Sequence, residues 1–413
     1  MSHRPAFAPL CAVFLGFVSV LCCANPDGSA PVQRSPPVKS ESSGPRRVVG
    51  SVPSASAVAD AETAELSSLA RSLSGADIRD VAEAPRRTGT LPRQSGARPP
   101  ATGVRAPRRL VAFGDVHGDM VALRSALRIA GAVGGDGRWS GGKLVVVQTG
   151  DQIDRGPQDR EVLDYLAKVV VQAERAGGAL YLLNGNHEIM NVVGDLRYVA
   201  RGAFAAFENV PGIDSEGAAV RHLPEFARAR QAAFLPGGPY ARMLATRNIV
   251  MIVGDSVFVH GGVLPQFADG IVQLNQQTRA WLSGESKQQP AALMDPEGPL
   301  WSRHYSDRTS PAGCRLLSEA LLRLGAQRMV VGHTPQARGI TSACQDKVWR
   351  VDVGMSAHYG GTVQVLEIEG DRVRVIKSSS RGSDPRADPR ADPRADPRAD
   401  PRGDPRSTPA IAG

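Results

Sequence analysis

Five short polar clusters, each containing glycine and at least one of aspartate, histidine or asparagine, are spread along the middle of this chain. Each follows a short apolar run. They are Gly114-Asp115-Val116-His117-Gly118, Gly150-Asp151-Gln152-Ile153-Asp154-Arg155-Gly156, Gly185-Asn186-His187-Glu188, His260-Gly261 and Gly332-His333-Thr334. Carboxylate, imidazole and amide groups are the ligands of mixed oxygen and nitrogen metal centres. One such cluster would indicate only a turn, but five in this arrangement predict a metal site.

The five clusters can form a single metal site only if separate strands bring them to the same place. Asp115 and His117 are two residues apart, so they project to one side of an extended segment. The glycines allow the tight turns that bring loops together. Loops that follow the strands of an α/β sheet meet at one edge, which is where such folds place their ligand sites.

The apolar runs alternate with helical patterns in the first half of the folded region. The pattern predicts strands at 110–113, 143–148 and 179–183 and helices at 120–129 and 160–173. This order of strand, polar turn, helix and strand is the signature of βαβ construction.

The second half is richer in strands. A hairpin is predicted from 248–253 and 256–259, followed by strands at 329–331, 348–353 and 362–376, the last turning at Gly370-Asp371. The predicted fold is therefore α/β, a sandwich of two packed sheets flanked by helices, with the metal site in the loops at the strand ends. The stretch 191–247 is predicted to form a helical insertion over one rim of the site.

Composition divides the 413 residues into four regions. Residues 1–24 have the pattern of a signal peptide. Residues 25–107 are rich in Pro, Ser and Arg and poor in large apolar side chains, so they are predicted to be a disordered tether. Residues 108–380 form the predicted folded domain. Residues 381–413 contain six Asp-Pro-Arg repeats and are predicted to be a disordered tail, because Pro at every fourth position excludes a helix.

Most of the net charge of +8 lies outside the predicted folded domain. Residues 110–380 carry 28 basic and 27 acidic residues, whereas residues 1–109 carry 14 and 8. A nucleic-acid-binding domain concentrates positive charge on its own surface. The distribution therefore argues against a nucleic acid as the partner.

The N-terminus predicts that the protein is exported, to a periplasmic or extracellular location. His3 and Arg4 precede an apolar run at 7–21 that is short for a membrane-spanning helix. Simple secretion, lipidation at Cys23 with tethering to a membrane, and an uncleaved anchor stay open as alternatives. Outside the N-terminal segment the only cysteines are Cys314 and Cys344. In an oxidising compartment they form a candidate disulfide, the alternative being two buried thiols.

The ordered motifs resemble those of the calcineurin-like metallophosphoesterases and, within them, of the phosphoprotein phosphatase family. The runs 185–191 and 194–198 are similar to the bacterial-type, Shewanella-like branch of protein phosphatases. The resemblance covers residues 108–377. It departs from the eukaryotic-type enzymes near its end, where the usual Ser-Ala-Pro-Asn-Tyr stretch is absent and residues 354–360 stand roughly in its place.

The resemblance implies two divalent metal ions (Mn, Fe or Zn) and hydrolysis by a hydroxide that bridges them. The first metal is bound by Asp115, His117 and Asp151. Asp151 also bridges to the second metal, whose other ligands are Asn186, His260 and His333.

The resemblance further implies roles beside the metals. His187 acts as the general acid and Asp154 orients its imidazole. Arg155 and Asn186 bind the substrate phosphate. The alternative for Arg155 is that it forms a purely structural ion pair. Arg303 is our candidate for a second phosphate-binding arginine, against a surface or packing role.

These observations predict a hydrolase, an exported metal-dependent phosphomonoesterase that acts on phosphoproteins or small phosphate esters. A nucleotide or dinucleoside-polyphosphate hydrolase on the same centre is the enzymatic alternative, because fold does not settle substrate. A tethered binding module with a degenerate site is the alternative from another class, and the intact set of metal ligands argues against it.

Overall fold

Two mixed β-sheets with helices on their outer faces make up the part of the chain that the computed structural model describes, residues 99–307 and 309–377. The strands are β1 (Gly103–Val104), β2 (Leu110–Phe113), β3 (Val145–Gln148), β4 (Ala179–Leu182), β5 (Val250–Val253), β6 (Ser256–Val259), β7 (Arg328–Val331), β8 (Thr341–Ala343), β9 (Val348–Arg350), β10 (Gln364–Glu369) and β11 (Arg372–Lys377). The helices are α1 (Met120–Ile129), α2 (Asp159–Arg175), α3 (Asn186–Val193), α4 (Arg201–Ala205), α5 (Glu225–Phe234), α6 (Pro239–Leu244), α7 (Pro265–Ala268), α8 (Ile271–Ser283) and α9 (Pro311–Leu324), with a 3₁₀ turn at Ala291–Leu293.

The five-stranded sheet has the order β11-β10-β2-β3-β4. Strands β2, β3 and β4 run parallel and in register, with Phe113 opposite Gln148 and Gln148 opposite Leu182. Their carboxyl ends are therefore level, and the loops with Asp115 and Asp151 leave the sheet at the same end as the start of α3, which carries Asn186. Helices α1 and α2 bury their apolar faces against this sheet.

The six-stranded sheet has the order β1-β5-β6-β7-β9-β8. The predicted hairpin is present as β5 and β6, which pair antiparallel. Strands β6, β7 and β9 are parallel, with Val259 opposite Val331 and Val331 opposite Arg350. His260 follows β6 directly and His333 follows β7 after Gly332, so this sheet also delivers polar residues from neighbouring strand ends.

An apolar layer drawn from both sheets forms one core of the fold. Ala112 and Val147 come from the five-stranded sheet, and Met251, Phe258 and Val330 come from the six-stranded sheet. All five are completely buried. Their packing gives the predicted architecture of two sheets flanked by helices.

The stretch 191–247 contains the last three residues of α3 together with α4, α5 and α6. Its aromatic residues Phe207, Phe234 and Tyr240 are buried and pack ring against ring at centroid distances of 5.0–5.6 Å. The insertion therefore has an apolar core that is continuous with the rest of the domain.

The fold begins before residue 108, inside the stretch predicted as tether. Strand β1 pairs in parallel with β5, and Ile252 N donates to Thr102 O at 2.7 Å. This correction has a simple cause: the free edge of β5 offers backbone donors, and a two-residue strand carries no periodic pattern to detect. The predicted signal peptide, most of the tether and the C-terminal tail lie outside the described residues. Across 99–307 and 309–377, no helix combines the length and apolarity needed to cross a membrane.

Candidate active site

The five polar clusters converge at the strand ends of the two sheets, and all six residues predicted as metal ligands are buried there. The site contains two sets of possible ligand atoms, and within each set all atoms lie within 4.8 Å of one another. One set comes from His117, Asp151 and His187, and the other from Asp151, His260 and His333. Asp151 belongs to both sets. A carboxylate placed between two groups of imidazoles is the arrangement that a bridging ligand requires.

The carboxylate of Asp151 lies at the centre of the cluster. Its Oδ2 is 3.2 Å from His260 Nε2, 3.9 Å from His117 Nε2 and 3.8 Å from His187 Nε2. Its Oδ1 accepts the backbone N–H of His187 at 3.1 Å. The residue has a φ of 53°, and such strained backbone is typical of functional sites.

The second set shows that the donor atoms suit a cation. His260 Nδ1 faces the carbonyl of Thr149 at 3.1 Å, so this nitrogen carries the proton in the neutral ring and Nε2 presents a lone pair. The Oδ1 of Asn186 lies 2.8 Å from Nε2 of His260, and Nδ1 of His333 lies 3.2 Å from the same atom. The amide oxygen and the unprotonated Nε2 are both acceptors, so at this distance they repel unless a cation lies between them.

The first set has the same character. His117 Nδ1 faces the carbonyl of Ile153 at 3.2 Å, which turns Nε2 toward the carboxylates of Asp151 and Asp115. Asp115 accepts the backbone N–H of His333 through Oδ2 at 3.1 Å, whereas its buried Oδ1 receives no donor from the described residues. The residues present therefore fit a metal, because buried ligand atoms are oriented and otherwise unsatisfied.

The protonation of the site also suits metal binding. Burial, reinforced by the charge of His187, lowers the pKa of His117 to about 3. Burial, with His260 and Arg303 nearby, holds the pKa of His333 well below its usual value. Both imidazoles are thus neutral at physiological pH, which is the form that binds metals.

His187 differs from the other histidines because its second nitrogen is held by a carboxylate. Its Nδ1 lies 2.7 Å from Oδ2 of Asp154, and both side chains are buried. Burial lowers the pKa of His187, but the carboxylates of Asp151 and Asp154 outweigh it and raise the pKa to about 9. A charged imidazole is a proton donor, and this distinguishes His187 from the neutral ligands.

Two glycines lack the Cβ atom that would clash with the acidic side chains of the site. A Cβ on Gly185 would overlap the carboxylate of Asp151 and lie 2.6 Å from its backbone nitrogen. A Cβ on Gly332 would lie 2.5 Å from Oδ1 of Asp115. The glycines of these motifs are therefore required by close approach of the backbone to the ligands.

Two arginines lie at the rim of the cluster. The guanidinium of Arg155 stacks over the ring of Tyr198 at 4.0 Å, and its backbone N–H donates to Tyr198 O. Arg303 is exposed and donates through Nη1 to the carbonyl of His333 at 3.3 Å and to Oγ1 of Thr334 at 2.9 Å. Both predicted arginines are thus beside the site, Arg155 next to Tyr198 and Arg303 next to His333.

Four further residues support the site without having been selected from the sequence. Glu188 accepts three backbone N–H groups, including that of Asp151 at 2.9 Å, and fixes two of the loops relative to each other. Asp352 is buried, and its charge is among the causes that raise the pKa of Asp115. The strand predicted at 348–353 contains Asp352, whereas the observed β9 ends at Arg350, so the sequence pattern did not mark this residue. Asn191 and Arg230 bind Asp154, at 2.9 and 3.1 Å, and no motif marks Arg230.

Comparison with known proteins gives a consistent result. The calcineurin-like phosphoesterase family model matches residues 108–337. Shewanella-like protein phosphatase 2 of Arabidopsis thaliana is 39% identical over 306 residues, covering 66% of this chain and 78% of the relative.

Solved structures agree with the sequence comparison. A cold-active protein tyrosine phosphatase solved at 1.1 Å is 27% identical, with a TM-score of 0.57, and the match covers 71% of this chain and 84% of that one. The cold-active protein-tyrosine phosphatase of a psychrophilic Shewanella species matches with a TM-score of 0.54 and 27% identity, over 68% of this chain and 80% of that one.

Proposed function

This chain belongs to the calcineurin-like phosphoesterases, in their Shewanella-like protein phosphatase branch, and we propose that it removes phosphate from phosphorylated proteins outside the cytoplasm. One observation carries the proposal. The buried carboxylate of Asp151 lies between two sets of metal-ligand atoms, with a His187–Asp154 pair beside it. A phosphatase needs both parts: a metal centre that activates water, and a group that donates a proton to the leaving oxygen.

Two divalent ions of Mn, Fe or Zn type account best for the shared carboxylate. Asp115, His117 and Asp151 would bind one ion, and Asp151, Asn186, His260 and His333 the other. When bound, such a pair supplies charge that stabilises the phosphate oxygens and a water of lowered pKa.

The chain's own residues orient the substrate. Arg155 presents a planar guanidinium whose face is stacked on Tyr198, and a guanidinium held in this way can donate in parallel to two phosphate oxygens. Arg303 and the amide of Asn186 would contact the phosphate from other directions. Together they would hold phosphorus in line for attack, so that little freedom is lost in the transition state.

His187 is proposed to donate a proton from Nε2 to the leaving oxygen. Its Nδ1 is bound to Asp154, so the ring cannot turn away, and Nε2 faces the ligand cluster, 3.8 Å from Asp151 Oδ2. Bound cations would offset the charge of Asp151, leaving Asp154 as the partner that keeps the imidazole protonated. Protonation matters most for an alkoxide leaving group, which departs poorly as an anion.

We propose phosphotyrosine as the preferred group within phosphoproteins. The similarity to two structures named as protein tyrosine phosphatases supports this choice. The ring of Tyr198 lies 5.1 Å from that of His187, and the ring of Tyr359 lies 5.4 Å from that of His117. Two aromatic side chains beside the ligand cluster offer surfaces on which the ring of a phosphotyrosine can pack.

Export is proposed from the apolar run near the N-terminus and from the cysteine pair. The Cα atoms of Cys314 and Cys344 are 5.4 Å apart, within the range that a disulfide spans. We propose that the pair is oxidised in the exported protein. Fractionation of cells with N-terminal sequencing of the mature chain, and fatty-acid labelling with a Cys23→Ser control, would separate secretion, lipidation at Cys23 and an uncleaved anchor.

The decisive functional experiment compares substrates on purified protein loaded with Mn²⁺. Phosphotyrosine and phosphoserine peptides, nucleotides and a dinucleoside polyphosphate would be assayed at equal concentrations. The proposal predicts the highest kcat/KM for phosphotyrosine peptide. A higher value for a nucleotide or a dinucleoside polyphosphate would replace the protein-phosphatase function by the alternative hydrolase on the same centre.

A further inference from the structure

A buried arginine of the helical insertion lies behind the His187–Asp154 pair. Arg230, in α5, has 0% of its surface exposed. Its Nη2 donates to Oδ1 of Asp154 at 3.1 Å and to Oδ2 of Asp159 at 2.7 Å. The insertion therefore places a positive charge directly against the carboxylate that binds His187.

Asn191 completes the set of donors around that carboxylate. Its Nδ2 donates to Oδ1 of Asp154 at 2.9 Å and to the backbone carbonyl of His187 at 2.9 Å. Its Oδ1 accepts from Nε of Arg230 at 2.8 Å. Asp154 thus has Oδ2 bound to His187 and Oδ1 bound to two donors, so the carboxylate cannot rotate without breaking several hydrogen bonds.

The charge of Asp154 depends on these partners. Burial alone would raise the pKa of Asp154, but the hydrogen bond from His187 and the charges of His187 and Arg230 outweigh it and lower the pKa. A buried carboxylate is expensive to ionise unless it is paired and hydrogen-bonded. Without Arg230, Asp154 would be a weaker partner for a charged imidazole.

The position of Arg230 is itself fixed by the insertion. Its guanidinium carbon lies 4.9 Å from the ring centroid of Phe207 and 5.4 Å from that of Phe234, and Nη1 donates to the carbonyl of Ala203 at 3.4 Å. These contacts come from α4, α5 and the loop between them. The alignment of Asp154 is therefore linked to the packing of a segment outside the five motifs.

We propose that Arg230 and Asn191 are positioning residues for proton donation by His187, so that the helical insertion is part of the acid-catalytic machinery. The inference rests on the proposed general-acid role of His187. Its consequence is selective: loss of either side chain should slow substrates that need a proton and spare those that do not.

The test measures kcat for a phosphoserine peptide and for nitrophenyl phosphate, with metal content determined for each variant. Arg230→Met should lower kcat for the peptide by about 10- to 100-fold, part of the full effect of a general acid, and kcat for nitrophenyl phosphate by less than about threefold. Arg230→Lys should recover part of the loss. Asn191→Ala leaves no unpaired buried charge, so it gives a second, well-folded variant, with the same selectivity expected.

Arg228→Met is the matched control, because Arg228 lies in the same helix and donates to Glu216 and to the carbonyls of Arg221 and Leu223, not to Asp154. It should change both rates by the same factor. In a His187→Ala background, Arg230→Met should cause no further selective loss, since residues that act through one group are not additive.

Equal losses on the two substrates for both Arg230→Met and Asn191→Ala would show a structural role only and overturn the inference. So would an undiminished selective loss in the His187→Ala background. The wild-type enzyme tests the underlying function separately: absence of turnover on both substrates would overturn the phosphatase assignment, and the inference with it.

Discussion

His187 and Asp154 form a buried pair in which one nitrogen of the imidazole is bound and the other faces the ligand cluster. Nδ1 lies 2.7 Å from Oδ2 of Asp154, and Nε2 lies 3.8 Å from Oδ2 of Asp151. The pairing separates His187 from its neighbours His117 and His260, whose Nδ1 atoms face backbone carbonyls. A carboxylate partner favours the charged ring, whereas a carbonyl partner only fixes the tautomer.

We therefore expect His187→Ala to retain the metal content of the wild type and to lose proton donation. Turnover of phosphoserine peptide should fall by about 10²- to 10⁴-fold, the range for general acid catalysis. Turnover of nitrophenyl phosphate should fall much less, because its leaving group departs without a proton. Asp154→Asn should give a weaker version of the same pattern. Loss of metal from His187→Ala would instead indicate that His187 is a ligand.

Gly185→Ala should disable the site through a single methyl group. The added Cβ would overlap the carboxylate of Asp151 and come within 2.6 Å of its backbone nitrogen, so this ligand must move. We expect a large loss of both metal content and activity. Gly135→Ala is the control, because no atom lies within 4 Å of a Cβ there, and it should leave both quantities unchanged. Retained metal in Gly185→Ala would show that the loop yields without disturbing Asp151.

Arg155→Met should weaken recognition of the phosphate group. Hydrogen bonds to charged groups are worth about 1.5–3 kcal/mol, which corresponds to a fall in kcat/KM of about 10- to 100-fold. Inhibition by inorganic phosphate should weaken in parallel. Arg303→Met tests the second arginine in the same assay. Arg197→Met is the control, because Arg197 carries the same charge on the same rim and is paired with Asp195. An equal effect from Arg197→Met would reduce the role of Arg155 to general surface charge.

The proposed Cys314–Cys344 disulfide should stabilise the folded domain. Closing a loop across a sequence separation of 30 residues lowers the entropy of the unfolded chain, for a gain of about 3–4 kcal/mol in the free energy of unfolding. Denaturant titrations with and without reducing agent measure this difference. The Cys314→Ser/Cys344→Ser variant should be insensitive to reduction. Two free thiols in unfolded protein that has not been reduced would exclude the bond.

The strands that carry the ligands were predictable because each combines an apolar run with a polar turn. β2 was predicted with its observed bounds, and β6 with it. The ligand set was predictable for the same reason, since every member lies just beyond such a run. Asp352 was missed because the apolar run was predicted as a strand through residue 353, whereas β9 ends at Arg350.

Arg230 could not have been identified from the sequence. It lies 76 residues from Asp154 along the chain and occupies an amphipathic helix in which arginine is unremarkable by composition. Its burial and its contacts arise only when α5 packs beside α3. Strand β1 was missed for a related reason, because its pairing is decided by the free edge of β5 and not by its own two residues.

We propose that one carboxylate, that of Asp151, serves two bound metal ions in this phosphatase. The most direct measurement is the number of Mn²⁺ ions bound per chain, determined together with turnover of phosphopeptide, in the wild type and in Asp151→Asn. The wild type should bind two ions and turn over substrate, and the variant should lose affinity for both ions and become inactive. An Asp151→Asn enzyme that binds two ions and keeps near-wild-type turnover would contradict the account.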